Sequence, residues 1–215
     1  MFETPDLLQI FPSFVWRACL KSDVYAPINK SILSSLEEIG APLMNLKPGE
    51  SWQSDHNLHE QEQYRSATDW MKAAADNVLD YLKVTHTGAK LTGCWANVNA
   101  PGASHRIHSH RNNYLSGVYY VQVPEGANTI NFFDPRTQAG VIRPLVSVFT
   151  PENTEQVVLK VREGMVMIFP AWLQHSVDAN LGNQARISLS FNVMLTDFTE
   201  SIARPHWKPG IRITN

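Results

Sequence analysis

The strongest constraint on the fold is a series of short β-prone segments in the second half of the chain, each followed by a turn signal. Residues 91–99 alternate in polarity before Pro101-Gly102, and residues 115–123 (LSGVYYVQV) are rich in β-branched and aromatic side chains. Similar segments lie at 129–133, 156–161, 165–169 and 187–195. Short strands at regular spacing predict a mainly β protein that closes into a jelly-roll barrel.

The first part of the chain shows a helical period instead. Ile32, Leu33, Leu36 and Ile39 are three or four residues apart, in a segment that opens near Pro27. A second helix is predicted from about residue 60 to 82, after a loop over 44–58. We expect both helices to cover one outer face of a sheet.

These patterns predict a single domain over residues 1–215, a length that favours one domain. An N-terminal strand and helical flank would span 1–89, the jelly-roll core 90–195 and a C-terminal tail 196–215.

Composition narrows the classes of partner. The net charge of −2 argues against nucleic acid or an anionic membrane as a partner, and no apolar run is long enough to span a bilayer. The N-terminus lacks the pattern of a signal peptide, and two cysteines fit a reducing compartment, so we expect a cytoplasmic protein. A homo-oligomer is compatible with the sequence.

Three of the eight histidines lie within six residues. His108 and His110 are two apart, so in an extended segment both side chains point to the same face and can bind one metal ion. His175, which follows the segment at 165–169, is the natural third ligand. His105 has the opposite strand parity from His108, which predicts a substrate-side or structural role. For His56 and His59 a solvated surface position is expected.

Arg186 opens the last predicted strand and shares a face with Ser188. Together they can grip one carboxylate through bidentate guanidinium bonds and a hydroxyl donor. An arginine that leads into an apolar strand is costly unless it is paired, and a bound acid is one such partner.

At this point the motifs resemble a known family. His108-x-His110, Ser116-Gly-Val-Tyr-Tyr120, Phe169-Pro-x-x-Leu-x-His175-x-Val and Arg186-Ile-Ser188 are together similar to the Fe(II)- and 2-oxoglutarate-dependent oxygenases, and to a bacterial and phage branch of them. The resemblance covers about residues 90–195.

The resemblance implies a double-stranded β-helix of the cupin type with Fe(II) at its open end. His108, His110 and His175 would be the metal ligands and catalytic centre. The residues implied to bind the co-substrate 2-oxoglutarate are Arg186, Ser188, Tyr120, Asn97 and Asn99. The family's chemistry implies consumption of dioxygen, hydroxylation of a substrate, and release of succinate and carbon dioxide.

One position departs from the usual pattern. The family has an acidic residue where this chain has His110, and three neutral imidazoles also suit other metals, including zinc. In one alternative His110 is not a ligand, and water or an unrecognised acidic residue fills its position. Two further alternatives are a three-histidine cupin-type enzyme that does not use 2-oxoglutarate and a non-enzymatic jelly-roll binding protein. Polar residues near the presumed mouth favour a polar substrate, either a small molecule or a peptide.

Overall fold

The computed structural model describes residues 4, 6, 8–43 and 45–199. The strands of this part of the chain are β1 (Trp16–Cys19), β2 (Ser51–Gln53), β3 (Ala89–Asn99), β4 (His105–His108), β5 (Leu115–Gln122), β6 (Thr129–Phe133), β7 (Gln156–Lys160), β8 (Met165–Pro170), β9 (His175–Val177) and β10 (Arg186–Leu195). The helices are α1 (Ser22–Glu38), α2 (Arg65–Tyr81) and the short α3 (Thr196–Thr199), with 3-10 turns at Leu58–Glu60, Glu62–Tyr64 and Thr137–Gly140.

The strands form two antiparallel sheets that face each other. The larger sheet has the order β1-β8-β5-β10-β3-β2, and the smaller has the order β4-β9-β6-β7. Most neighbours in a sheet are distant in sequence, as the pairing of β10 with both β3 and β5 shows. This is the jelly-roll, or double-stranded β-helix, and the predicted fold class is confirmed.

The helices pack on the outer face of the larger sheet, as predicted. Ile32 and Leu36 from α1 and Met71 and Leu79 from α2 are buried in one cluster with apolar residues of that sheet. Asn29 of α1 is also buried. Its side-chain nitrogen donates to the carbonyl of Val121 at 2.7 Å, and its side-chain oxygen accepts from the Tyr119 hydroxyl at 2.7 Å. These hydrogen bonds fix the helix on the sheet and satisfy the buried amide group.

The helix boundaries differ from the sequence prediction. α1 begins at Ser22, so Pro27 lies inside the helix instead of at its start. The first turn is held by the amides of Val24 and Tyr25, which both donate to the carbonyl of Lys21. Pro27 has no backbone N–H to donate, so one helical hydrogen bond is absent, but the helix continues past it. α2 begins at Arg65, because 3-10 turns occupy the residues just before it.

Three short strands were not in the predicted series. β2 lies inside the predicted loop over 44–58, β4 spans His105–His108, and β9 begins at His175. Each has three or four residues, too few to show the alternation by which longer strands are identified.

Gly117 explains the glycine in the SGVYY segment of β5. A Cβ atom at this position would overlap the ring of Phe191 on the neighbouring strand β10. The missing side chain makes room for a fully buried aromatic ring across the sheet.

The predicted single-domain organisation stays a prediction. The tail predicted over 196–215 begins with α3, and residues 200–215 lie outside the described part of the chain. No helix among the described residues is long and apolar enough to cross a bilayer.

Candidate active site

The fold brings the three predicted histidine ligands together. β4 and β9 are antiparallel neighbours in which His108 lies directly opposite His175. His110 follows β4 in a loop that is fixed by a bond from its backbone amide to the carbonyl of Ala171, at 2.8 Å. One potential ligand atom from each histidine lies within 4.8 Å of the other two. The Nε2 atoms of His110 and His175 are 3.4 Å apart.

Backbone carbonyls orient two of these rings. Nδ1 of His108 lies 2.8 Å from the carbonyl of Arg106, and Nδ1 of His175 lies 3.0 Å from the carbonyl of Leu173. A carbonyl oxygen only accepts, so Nδ1 carries the proton in both rings. Each Nε2 therefore keeps a free lone pair, which is the form that binds a metal ion.

Burial keeps the inner histidines neutral. It lowers the pKa of His110 to about 3, with smaller effects of the same sign from His175 and His108. It also lowers the pKa of His175 to about 4, where His108 adds to the shift and the bond to Leu173 opposes it. Both rings are thus neutral well below pH 6.5, so protons compete with a metal for these two ligands only in more acidic solution.

The geometry suits one metal ion. Two ligand atoms each about 2.0–2.2 Å from an ion, at angles between octahedral and tetrahedral, are about 2.8–3.6 Å apart. The Nε2 separation of 3.4 Å falls in this range. No Asp or Glu of the described residues joins the cluster. The donor set is therefore three neutral imidazoles, which leave the full charge of a divalent ion for a second, anionic ligand to offset.

The residues predicted to bind the co-substrate line the same cavity as the histidines. Ser188 on β10 pairs with Tyr120 on β5 and with Asn97 on β3, so the three form a row across the larger sheet. Arg186 pairs with Asn99 at the next position on the same face. This row faces the smaller sheet, which carries His108 and His175, across the cavity.

Arg186 is a buried cation. The residue is 4% exposed, it forms no ion pair with any described residue, and its Nε lacks a hydrogen-bond partner. Its Cζ atom lies 5.2 Å from the ring centroid of Tyr120. A buried guanidinium without a counter-charge is costly for the ligand-free protein, and a bound anion would offset this cost.

Tyr120 stays a neutral hydroxyl beside this cation. Burial raises the pKa of Tyr120 to about 12, although the charge of Arg186 and a hydrogen bond to it act in the opposite direction. Within the protein the hydroxyl also donates to the sulfur of Met167 at 3.8 Å, a weak bond that a carboxylate can replace.

The two asparagines are already engaged within the protein. The side-chain oxygen of Asn97 accepts from Gln53 at 2.8 Å, and its amide donates to Ser190 at 2.9 Å. The amide of Asn99 donates to Nε2 of His105 at 2.9 Å. Their contact with a co-substrate stays a prediction, and Asn97 is placed to order strands β2, β3 and β10.

The prediction for His105 is wrong in its strand parity. Its partner in β9 is Val177, whereas that of His108 is His175, so three steps along β4 oppose two along β9. This irregularity is a β-bulge, which turns His105 to the same side as His108. His105 therefore lines the cavity.

Trp95 is a site residue that the sequence reasoning missed. It lines the cavity, and its ring centroid lies 5.7 Å from that of His110. It also stacks on the exposed His56, with the ring centroids 4.4 Å apart. The sequence contained the information to predict this position, because residues 95, 97 and 99 alternate along β3 and must share a face.

Comparison with known proteins gives a family and a fold. Residues 93–192, from within β3 to within β10, match the model of a family described as "Putative 2OG-Fe(II) oxygenase". No curated protein matches the sequence significantly.

Several solved structures share the fold. A Pseudomonas putida prolyl-4-hydroxylase has a TM-score of 0.57 at 13% identity, covering 85% of this chain and 93% of that one. HygX from Streptomyces hygroscopicus, solved with nickel and 2-oxoglutarate bound, has a TM-score of 0.59 at 14% identity, covering 87% and 85%. SnoN, an α-ketoglutarate-dependent epimerase from nogalamycin biosynthesis, has a TM-score of 0.62 at 13% identity, covering 94% and 89%.

Because these identities are low, the structural matches support only the fold, and the family model supports the chemistry. The predicted metal and co-substrate, Fe(II) and 2-oxoglutarate, are those of the matched family. The narrower bacterial and phage branch stays a prediction. The family match over residues 93–192, the fold and the three-histidine cluster thus agree with the sequence motifs, and the jelly-roll core of this chain matches the Fe(II)- and 2-oxoglutarate-dependent oxygenases.

Proposed function

We propose that this protein hydroxylates a polar small molecule or peptide in the cytoplasm. One dioxygen and one 2-oxoglutarate are consumed; one oxygen atom enters the substrate C–H bond and the other enters succinate, with release of carbon dioxide. The observation that carries the proposal is the cavity itself, in which a buried, unpaired Arg186 and three converging histidines line one space.

His108, His110 and His175 would hold the iron through their Nε2 atoms. When bound, Fe(II) with chelated 2-oxoglutarate supplies the activation of dioxygen. The protein's own contribution begins with the carbonyls of Arg106 and Leu173, which hold two of the rings in the ligating tautomer before metal arrives. This preorganisation lowers the cost of assembling the centre.

Arg186 would bind the far carboxylate of 2-oxoglutarate in two parallel hydrogen bonds, with the hydroxyls of Ser188 and Tyr120 as neutral donors beside it. Charge supports this arrangement. A divalent ion held by neutral ligands and one guanidinium present three positive charges, and dianionic 2-oxoglutarate offsets two of them. Without the anion, Arg186 stays buried with no acidic partner among the described residues.

Aromatic side chains exclude water around the centre. Phe169 lies with its ring centroid 4.7 Å from that of His175, Phe132 lies at 6.1 Å, and Trp95 covers His110. A dry environment strengthens the polar contacts to the co-substrate and protects a reactive oxidant from side reactions.

The cytoplasmic location rests on the sequence and on cysteine chemistry. Cys19 and Cys94 are both free thiols, the first exposed and the second buried. An exposed free thiol fits a reducing compartment.

The test is turnover of 2-oxoglutarate by protein loaded anaerobically with Fe(II) and then exposed to dioxygen, with succinate measured by mass spectrometry. We expect slow succinate formation even without the true substrate, and none in His175→Ala. Metal binding without any succinate or 2-oxoglutarate binding would favour the three-histidine cupin-type enzyme, and binding of neither would favour a binding protein.

A further inference from the structure

His105 faces the co-substrate cavity although simple strand alternation would turn it away. The bulge in β4 places His105 and His108 on the same side of the strand, so His105 lines the cavity three residues before a metal ligand. Such a bulge is costly to the ladder and re-aims a side chain, and bulges of this kind are common beside active sites.

The hydrogen bond to Asn99 fixes the tautomer of His105. Nδ2 of Asn99 lies 2.9 Å from Nε2 of His105. Because an amide nitrogen only donates, Nε2 of His105 accepts and Nδ1 carries the proton of the neutral ring. No described residue accepts a hydrogen bond from this Nδ1, and the atom is not fully buried, so it remains accessible to a ligand.

The same bond places His105 at the level of Arg186. Asn99 lies directly opposite Arg186 in the pairing of β3 with β10, and directly opposed residues project from the same face of a sheet. Asn99 reaches across the cavity from the larger sheet to His105 on the smaller one. Burial and then the charge of Arg186 lower the pKa of His105 to about 4, so the ring is a neutral donor at physiological pH.

We propose that His105 binds the co-substrate, donating its Nδ1–H to the far carboxylate that Arg186 holds, and that Asn99 positions its ring for this bond. The inference rests on the proposed function. It adds a donor from the smaller sheet to those of Arg186, Ser188 and Tyr120 on the larger one. The carboxylate would then be held from both sides of the barrel.

The experiment compares two 2-oxo acids that share the iron-chelating end. 2-Oxobutyrate lacks the far carboxylate of 2-oxoglutarate, so it makes no bond to His105 or Arg186. Dissociation constants for both acids are measured by anaerobic titration of the Fe(II)-loaded protein. The variants are His105→Phe, which fills the space without a donor, His105→Leu as a second donor-less variant, and His105→Asn, which keeps a donor near the position of Nδ1. The control is Ile107→Ala, on the same strand and 54% exposed.

We expect the Phe and Leu variants to lose about 10- to 100-fold in affinity for 2-oxoglutarate, as for a hydrogen bond to a charged group. Affinity for 2-oxobutyrate should not change, and His105→Asn should recover much of the loss. Ile107→Ala should match the wild type with both acids. These outcomes require a contact with the far carboxylate.

Equal losses for both acids would overturn the proposal in favour of a structural role for His105, and so would unchanged affinity for 2-oxoglutarate. Failure of the proposed function gives a different result, because the unaltered protein would then bind neither acid. Thermal unfolding of each variant identifies any that does not fold. If His105→Phe does not fold, the difference in 2-oxoglutarate affinity between His105→Asn and His105→Leu tests the proposal.

Discussion

Arg186→Met separates a ligand-binding arginine from a structural one by the sign of its effect on stability. Methionine is unbranched and close to arginine in length, so it fills most of the space with an apolar chain. In the ligand-free protein Arg186 is 4% exposed and has no acidic partner among the described residues. The substitution therefore removes a buried charge and its hydrogen bond with Tyr120, and it breaks no ion pair within the described part of the chain.

The magnitudes follow from what the side chain touches. Relief of the unpartnered Nε alone is worth about 1–3 kcal/mol, and each kcal/mol raises Tm by about 2–4 °C in a protein of this size. Removing one member of a buried ion pair would instead cost about 3–5 kcal/mol. For the co-substrate, loss of a buried charge-paired hydrogen bond costs about 2–5 kcal/mol, so affinity for 2-oxoglutarate should fall by about 30-fold or more.

The assays are thermal unfolding of the metal-free protein and titration of 2-oxoglutarate into the Fe(II) form. We expect an unchanged or higher Tm, a large loss of 2-oxoglutarate affinity and unaltered Fe(II) affinity. Arg136→Leu is the control, because Arg136 is an exposed arginine paired with Asp134 in the β6–β7 loop. A Tm lowered by many degrees together with normal 2-oxoglutarate affinity would instead show that Arg186 has a structural role.

Three other predictions concern the ligands and the packing. His110→Asp recreates the family's usual carboxylate, so the variant should still bind Fe(II) in titrations. Its metal-free form should have a lower Tm, because the new carboxyl group is buried. Loss of metal binding would show that the site is specific for imidazole. The metal-free protein should lose stability as pH falls from about 6.5 to about 3–4. The reason is that histidines of the unfolded chain take up protons at about pH 6.5, while the lowered pKa values of His110 and His175 keep these rings neutral in the folded protein. A free energy of unfolding that stays constant over this pH range would contradict the prediction. Gly117→Ala should lower the free energy of unfolding by about 1–3 kcal/mol through overlap with Phe191, and an unchanged denaturant midpoint would show that the ring can move aside.

The sequence predicted the elements that carry a long, regular pattern. The strands of five or more residues and the two long helices show enough periods of alternation or helical spacing to be identified. The family resemblance then placed His108, His110 and His175 around one ion, and the structure brings their nitrogens together.

What the sequence could not show depends on pairing between distant segments. The bulge that turns His105 into the cavity exists only relative to β9, about seventy residues further along the chain. That Arg186 has no acidic partner among the described residues also depends on the side chains that surround it in the fold. Trp95 could have been found, because it alternates with Asn97 and Asn99 on β3.

In our proposal, one cavity holds a metal at three histidines and a carboxylate at Arg186. The decisive measurement is a crystal structure of the protein soaked anaerobically with Fe(II) and 2-oxoglutarate. We expect one ion about 2.0–2.2 Å from nitrogens of His108, His110 and His175, chelated by the keto-acid end of 2-oxoglutarate. The far carboxylate should accept two hydrogen bonds from the guanidinium of Arg186. An ion that lacks any of the three histidines, or a carboxylate bound away from Arg186, would contradict it.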